Sequence, residues 1–197
     1  MLAKNFSKKI RFILLSFFIL ICLFSCWGCK PSEQKKISSS DYPLYQVLYL
    51  DDILESGPAT YTWDDPNTLH PDFFLYFFSK KTQLHRLSTD AEPIVLPADI
   101  VEKYDQLFFT VTSEHMRQSN FYLPEVQSYQ IPIISSSPSG VEVDEMSIEK
   151  DILTIRYTFY YPANHAAFRT GSVRIMLPDR TSSRTHRYLS CQVTDLE

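Results

Sequence analysis

The chain has 197 residues, of which 14% are aromatic and 21% charged, and its formal net charge is −4. This length suits one domain with a sizeable core, and the acidic balance argues against a general nucleic-acid binder. The four glycines are scattered along the chain, at Gly28, Gly57, Gly140 and Gly171. Phosphate-binding loops and dinucleotide folds need clustered glycines, so the sequence disfavours those classes of enzyme.

The first 25 residues have the organisation of a secretory signal peptide. Basic side chains open it, at Lys4, Lys8, Lys9 and Arg11, with no acidic residue among them. The almost wholly apolar run FILLSFFILICLF follows over residues 12–24. A signal peptide needs an apolar run of roughly 7–15 residues, whereas a spanning helix needs about 20. The sequence therefore predicts a signal peptide over residues 1–25, with an uncleaved signal anchor as the alternative.

The apolar run ends in the order Leu23-Phe24-Ser25-Cys26. This order resembles the lipobox of bacterial lipoproteins, in which an aliphatic residue and then a small residue precede the lipidated cysteine. The resemblance implies cleavage after Ser25 and acylation of Cys26, which would hold the mature chain on a lipid membrane. Cys29 is a second candidate for lipidation, but it lacks the aliphatic residue.

The same resemblance places the protein in the cell envelope. In Gram-negative lipoproteins an Asp after the lipidated cysteine marks inner-membrane retention; Trp27 stands there, which favours the outer membrane. The chain as a whole is also similar to envelope lipoproteins of chlamydia-type bacteria, although no single motif carries that similarity. The signal contains four of the 19 Lys and Arg residues and none of the 23 Asp and Glu residues. The mature chain is therefore more acidic, with a net charge of −8.

Residues 26–41 are polar and Ser-rich, which predicts a lipidated tether, and residues 42–197 are predicted to form a single β-rich domain. Asp41, an early proline and helically spaced apolar residues predict a helix that ends at Gly57, with a strand over residues 45–50 as the alternative. Strands are predicted at the apolar run Phe73–Phe78 and around Leu107, Phe109 and Val111, with a short helix over residues 97–105.

The C-terminal third contains the clearest strand pattern. Residues 152–161 (ILTIRYTFYY) alternate between two faces, and residues 149–151 predict a hairpin turn that joins them to a strand over 141–148. Further alternating strands are predicted around Val173, Ile175 and Leu177 and around Leu189, Cys191 and Val193. We therefore predict an all-β fold, mainly an antiparallel sandwich that could be immunoglobulin-like, with one or two short helices.

Few residue patterns in the sequence indicate a catalytic, metal or cofactor site. The five histidines lack the close spacing of zinc ligands, so we predict neither a metal site nor a cofactor. The run Asp64-Asp65-Pro66-Asn67 is typical of a turn, with calcium binding as the alternative. The carboxylates of Asp51, Asp52 and Glu55 are expected on a solvated face. No catalytic residue is predicted, since the chain has no nucleophile-elbow, S-x-x-K or catalytic-cysteine motif.

Three residue sets leave alternatives open. The arginines of the C-terminal third form a candidate anion-binding set, the alternative being scattered solvated side chains: Arg169, Arg174, Arg180, Arg184 and Arg187. An N-terminal aromatic set could bind sugar or peptide or could simply pack: Tyr42, Tyr45, Tyr49, Tyr61 and Trp63. Cys29 and Cys191 could pair, but the apolar strand pattern favours a free, buried Cys191.

The sequence thus predicts a membrane-anchored envelope lipoprotein. Its expected partners are the lipid membrane, through acylated Cys26, and an envelope protein or cell-wall component, with no nucleic acid. A non-enzymatic binding or structural module is the first hypothesis. The alternative is an envelope hydrolase or carbohydrate-modifying enzyme whose site is assembled in space.

Overall fold

The computed structural model describes residues 34–87, 92–134, 140–178 and 185–196, and the chain from Gln34 onward forms one compact unit. The strands in these ranges are β1 (Lys35–Lys36), β2 (Val95–Pro97), β3 (Tyr122–Leu123), β4 (Ser128–Gln130), β5 (Val141–Glu149), β6 (Ile152–Tyr160), β7 (Ala167–Met176) and β8 (Arg187–Asp195). The α-helices are α1 (Tyr42–Tyr49), α2 (Asp51–Ser56), α3 (Asp72–Thr82), α4 (Ala98–Asp105) and α5 (Ser113–Met116). Every strand pairing is antiparallel, which confirms the predicted β-rich, antiparallel class, whereas the five α-helices in these ranges exceed the one or two predicted.

The larger sheet has five strands in the order β1-β5-β6-β7-β8. Its four long strands follow one another as hairpins and confirm the predicted strands of the C-terminal third. On β6, Leu153, Ile155 and Tyr157 are fully buried, whereas Arg156 between them is exposed. This alternation gives the sheet one apolar and one polar face.

The outer edge of β8 is covered by other parts of the chain. Backbone hydrogen bonds join Trp63 and Cys191 in both directions, each over 2.8 Å, and the amide of Tyr188 donates to the carbonyl of Phe108. The hydroxyl of Thr62 accepts a hydrogen bond from the Val193 amide. These contacts satisfy an edge that would otherwise be open to pairing with another chain.

The predicted helix before Gly57 forms as two consecutive helices, α1 and α2. Gly57 ends the second at φ 108°, a conformation that favours glycine. Space also requires glycine here, because an added Cβ would lie 2.6 Å from the ring of Phe73. The short helix predicted over residues 97–105 is confirmed as α4.

The prediction of a strand at Phe73–Phe78 is wrong, because this run lies within helix α3. The helix buries Phe74, Leu75, Phe77 and Phe78, so nearly its whole circumference at this point is enclosed. A helix that is buried on most sides has no polar stripe. Its apolar run therefore cannot be distinguished by periodicity from a strand that is buried on both faces.

The prediction of a strand around Leu107, Phe109 and Val111 is also wrong. This stretch is irregular and follows directly after α4, with the amides of Phe108 and Phe109 both donating to the carbonyl of Asp105. Phe109 and Val111 are buried, because aromatic packing fills the core here without strand pairing. Ring contacts of Phe109 with Phe77 and Tyr188 join α3 to β8.

The smaller sheet has three short strands in the order β2-β4-β3. The immunoglobulin-like sandwich is not confirmed, since helices and loops pack on the apolar face of the larger sheet. None of the described helices is long and apolar enough to cross a membrane.

The predicted tether of residues 26–41 overlaps the folded unit. Lys35 and Lys36 pair with Ile148 and Ser147 of β5, and a 3-10 helix follows over Ser39–Asp41. From Gln34 onward the predicted tether therefore belongs to the folded unit, in which Lys35 and Lys36 form an edge strand of the larger sheet. The signal peptide, Ser25, Cys26 and Cys29 lie outside the described residues.

Candidate functional site

The face of the larger sheet opposite its apolar core carries three cross-strand rows of polar side chains. We call this surface the polar face throughout. Strand register aligns the rows as Glu142, Thr158, Thr170 and Thr194; Glu145, Arg156, Ser172 and Gln192; and Ser147, Thr154, Arg174 and Ser190. Hydroxyl, amide and charged groups make up all three rows. Neighbouring residues in such a row are close enough to act together on one ligand.

A groove of about 720 Å³ lies along this face. The middle row forms its floor, and Lys36 on β1 contributes to one side. Opposite charges meet there: Lys36 Nζ lies 2.7 Å from Glu145 Oε1, and Arg156 Nη1 lies 3.4 Å from Glu145 Oε2. The Lys36 hydrogen bond lowers the pKa of Glu145, so this carboxylate stays ionised at neutral pH. The positive groups of the groove are therefore already balanced by an acid.

A β-bulge brings a second carboxylate to the groove. The register of β5 and β6 shifts between Val143 and Glu145, which inserts Asp144 as an extra residue. Thr158 Oγ1 donates a 2.8 Å hydrogen bond to Asp144 Oδ2. As a result, Asp144 and Glu145 both reach the polar face, although consecutive strand residues ordinarily point to opposite faces.

Four polar side chains of the groove are available to a ligand. Thr170, Ser172, Gln192 and Thr194 line it, and their side chains make no hydrogen bond to any other described residue. Together they offer three hydroxyls and one amide. These groups suit hydrogen bonding to a polar, hydroxyl- or amide-rich partner.

The candidate anion-binding arginines do not form one cluster where the structure describes them. Arg174 shares the polar face with Arg187, whose register partner Met176 lies on that face. Arg169 lies on the other face and pairs with Asp195, its Nε 2.6 Å from Oδ1. Arg180 and Arg184 lie outside the described residues.

A second groove of about 610 Å³ runs past His70 and Phe73. His70 Nδ1 accepts a hydrogen bond from the Asp72 amide and lies 3.6 Å from Asp72 Oδ2. Burial raises the pKa of Asp72, but hydrogen bonds from Ser119 and Asn120 more than offset this and lower it overall.

The two threonine hydroxyls that line this groove already have partners. Thr68 Oγ1 donates to the Asp65 carbonyl, and Thr62 Oγ1 donates to the Val193 carbonyl. Nucleophilic catalysis needs a hydroxyl or thiol within reach of the base. In the described part of the chain, the lining of this groove therefore resembles a structural arrangement more than a catalytic one.

The acidic patterns noted in the sequence have structural roles. Asp65 accepts hydrogen bonds from the amide and side chain of Asn67, which confirms the turn at residues 64–67. The expectation of a solvated face at Asp52 and Glu55 is wrong: these carboxylates pair with Lys81 and Lys80 of α3 and join it to α2. No group of described His, Cys, Asp or Glu side chains could hold a metal ion.

Cys191 is a free, fully buried thiol. It lies 3.2 Å from the hydroxyl of Tyr157, which donates to the carbonyl of Ala59 over 2.6 Å. Burial raises the pKa of Cys191 to about 11, so the unreactive thiol form dominates at neutral pH.

The N-terminal aromatic residues do not share one surface. Trp63 is buried and donates from Nε1 to the Pro58 carbonyl, whereas Tyr61 is exposed beside the second groove. Tyr49 packs edge-on against His186. Most of this set therefore contributes to packing.

A scan of protein-family models and searches of curated proteins and solved structures found no match to this chain. The residues of the groove must therefore be judged on their own geometry. Lys36 was expected in the tether and Asp144 in a regular strand, so neither was predicted as part of a site. The signal for the bulge was present, since the apolar alternation of Val141 and Val143 changes phase before Met146 and Ile148.

Proposed function

We propose that this protein is a lipid-anchored envelope protein, of the outer membrane, whose polar face binds a protein or cell-wall partner without catalysing a reaction. The observation that carries the proposal is the groove on that face, with its four unengaged hydrogen-bonding side chains in two neighbouring rows. The lipobox pattern at Leu23–Cys26 supports the anchor. The polar face then belongs to a domain held at the membrane surface.

The chemistry of the groove favours a polar partner of low charge. Lys36 and Arg156 are both close to Glu145, so neither is a free cation for a strongly anionic ligand. Hydroxyls and an amide instead match the backbone of an extended peptide or the hydroxyls and amides of cell-wall glycan. Arg174 and Arg187, on the same face, would add carboxylate recognition at one side.

The anchor is tested by mass spectrometry of the mature N-terminus. The wild-type protein should begin at Cys26 and carry acyl chains, whereas Cys26→Ala should remain unacylated. An uncleaved, unmodified wild-type chain would remove the anchor from the proposal.

The groove is tested by a photo-crosslinking amino acid placed at Gln192 in the full-length protein in intact cells. Gln192 is exposed within the groove. The same probe at Lys103, an exposed residue of α4, is the matched control. Digestion of the cell wall before mass analysis identifies glycan adducts beside protein adducts.

We expect discrete adducts from Gln192 and none from Lys103. Ser172→Arg, which places a bulky side chain in the groove, should reduce the adducts from Gln192. Equal labelling from both positions, or none from Gln192, would contradict a binding role for the polar face.

A further inference from the structure

Helix α1 exposes an apolar face beside the start of the folded unit. Leu44, Val47 and Leu48 are 61%, 63% and 45% exposed. Their i, i+3, i+4 spacing places them on one side of the helix. The opposite side is packed, since Tyr45 and Tyr49 contact each other and Tyr49 contacts His186. Solvent-facing apolar residues therefore form a continuous stripe here.

No other described α-helix carries more than one of the large exposed apolar residues. Leu87, Val126 and Ile133, for example, lie in separate segments of the chain. Single exposed apolar residues are ordinary on protein surfaces, whereas a contiguous apolar face needs a reason. This stripe lies on α1, the first α-helix of the folded unit.

The position of α1 in the chain points to a lipid surface. Only nine residue steps separate Cys26 from Lys35, which begins β1, and this length spans at most about 32 Å when fully extended. A domain on so short a tether stays within reach of the bilayer into which Cys26 is anchored. The apolar stripe starts a further nine residues along the chain.

The charges around α1 favour shallow contact with lipid. Lys35 is exposed just before the helix, and basic groups are attracted to anionic headgroups. Asp41 and Asp51 flank the two ends of α1, and carboxylates avoid the hydrocarbon layer. Only the three apolar side chains would therefore enter the acyl region.

We propose that the Leu44, Val47 and Leu48 face of α1 lies on the membrane surface and fixes the orientation of the domain relative to the bilayer. This inference rests on the proposed lipid anchor. An acyl tether alone leaves the domain free to rotate, whereas an interfacial helix adds a second attachment with a defined direction.

Tryptophan fluorescence in the full-length, acylated protein tests the inference. The protein is reconstituted in vesicles of phosphatidylethanolamine and phosphatidylglycerol with brominated acyl chains, which quench nearby indoles. The wild-type chain has Trp27, beside the anchor, and Trp63, which is buried in the domain. Leu44→Trp adds an indole on the proposed face, and Val126→Trp, in an exposed turn before β4, is the matched control.

We expect the wild-type emission to fall in brominated vesicles through Trp27, and the emission added by Leu44→Trp to shift to the blue and be quenched. The emission added by Val126→Trp should be unaffected. Val47→Glu in the Leu44→Trp chain should abolish the added quenching.

The possible failures are distinguishable. Quenched Trp27 emission with an unquenched Leu44→Trp signal would overturn the docking face and leave the anchor intact. Unquenched emission from both positions would overturn the anchor and the docking together. A blue shift of Leu44→Trp that grows with protein concentration, without quenching, would show that a second copy covers the face instead.

Discussion

The two faces of the larger sheet differ in almost every physical respect. On one, Tyr157, Tyr188 and Cys191 are buried beneath helices and loops, and their polar atoms have partners within the core. On the other, Gln192 and Thr194 belong to the same strand as Tyr188 and Cys191 and remain open to solvent. The same backbone therefore supports a face whose side chains are fixed by packing and a face whose side chains can vary. Substitutions should separate stability from binding along this division.

The largest effect is expected from Phe77→Ala on the apolar side. Phe77 is fully buried and contacts the rings of Phe108, Phe109 and Tyr188. Truncation therefore leaves a cavity between α3 and β8. We expect a loss of about 3–5 kcal/mol in the free energy of unfolding, measured by urea denaturation. Gln192→Ala on the polar face should change it by less than about 0.5 kcal/mol. Comparable losses of unfolding free energy from both variants would contradict the difference between the two faces.

The same division explains which parts of the fold the sequence could predict. Strands β5 to β8 have one face in solvent, so their period-two alternation is visible in the residues and their positions were predicted correctly. Helix α3 is enclosed on most sides, so its apolar run carries no period. Around Phe109 the alternation of apolar residues suggested a strand, but Phe108 and Phe109 are both buried and Leu107 is exposed, so tertiary packing decides the conformation there.

The candidate site was less predictable than the strands that carry it. Arg156 could be placed on the outer face from alternation alone, but its neighbours depend on strand register. Asp144 reaches the groove through a bulge, and Lys36 reaches it through a two-residue edge strand. The bulge is marked only by a change of phase in the apolar alternation of β5, and the edge strand has no local sequence pattern because its pairing depends on a distant part of the chain.

A second prediction concerns His186, which is buried where the apolar side meets α1. Its ring packs edge-on against Tyr49, Phe108 and Tyr188. Burial lowers the pKa of His186 to about 4, with a smaller contribution from the positive charge of Lys81. The folded protein therefore binds fewer protons than the unfolded chain between about pH 6.5 and pH 4.

This difference destabilises the fold in acid. As the pH falls from 6.5 to 4, His186 should remove up to about 3 kcal/mol of the stability present at neutral pH. His186→Phe keeps a ring in this position and removes the titration, so its stability should fall less over the same range. Urea denaturation at a series of pH values measures both proteins. If the free energy of unfolding of wild type and His186→Phe changed with pH to the same extent, His186 would not cause the loss of stability in acid.

A third prediction concerns Asp105 at the end of α4. Both carboxyl oxygens are buried, and neither has a hydrogen-bond partner among the described residues. Burial raises the pKa of Asp105 well above its usual value. The folded state therefore holds the proton more tightly than the unfolded chain, and stability from this group is present in acid and lost as the pH rises.

Asp105→Asn removes this titration, and the asparagine side chain has almost the same shape as that of aspartate. At pH 8 the variant should be more stable than the wild type, by about 1–3 kcal/mol, because it avoids an unpaired buried charge. The gain should shrink towards zero near pH 4, where the wild-type carboxyl is also neutral. A constant difference across this range would show that the carboxyl does not titrate with folding.

The smallest effect on stability is expected from Glu145→Gln on the polar face. Glu145 is partly exposed, and its pairs with Lys36 and Arg156 are screened by solvent. The midpoint of urea denaturation should therefore match that of the wild type. Binding should respond differently, because the variant frees two cations in the groove and changes its charge. We expect the adducts captured by a crosslinker at Gln192 to change in amount or identity while the fold stays intact. Unchanged adducts would mean that Glu145 has no part in binding. A large loss of stability would mean that the polar face also stabilises the fold.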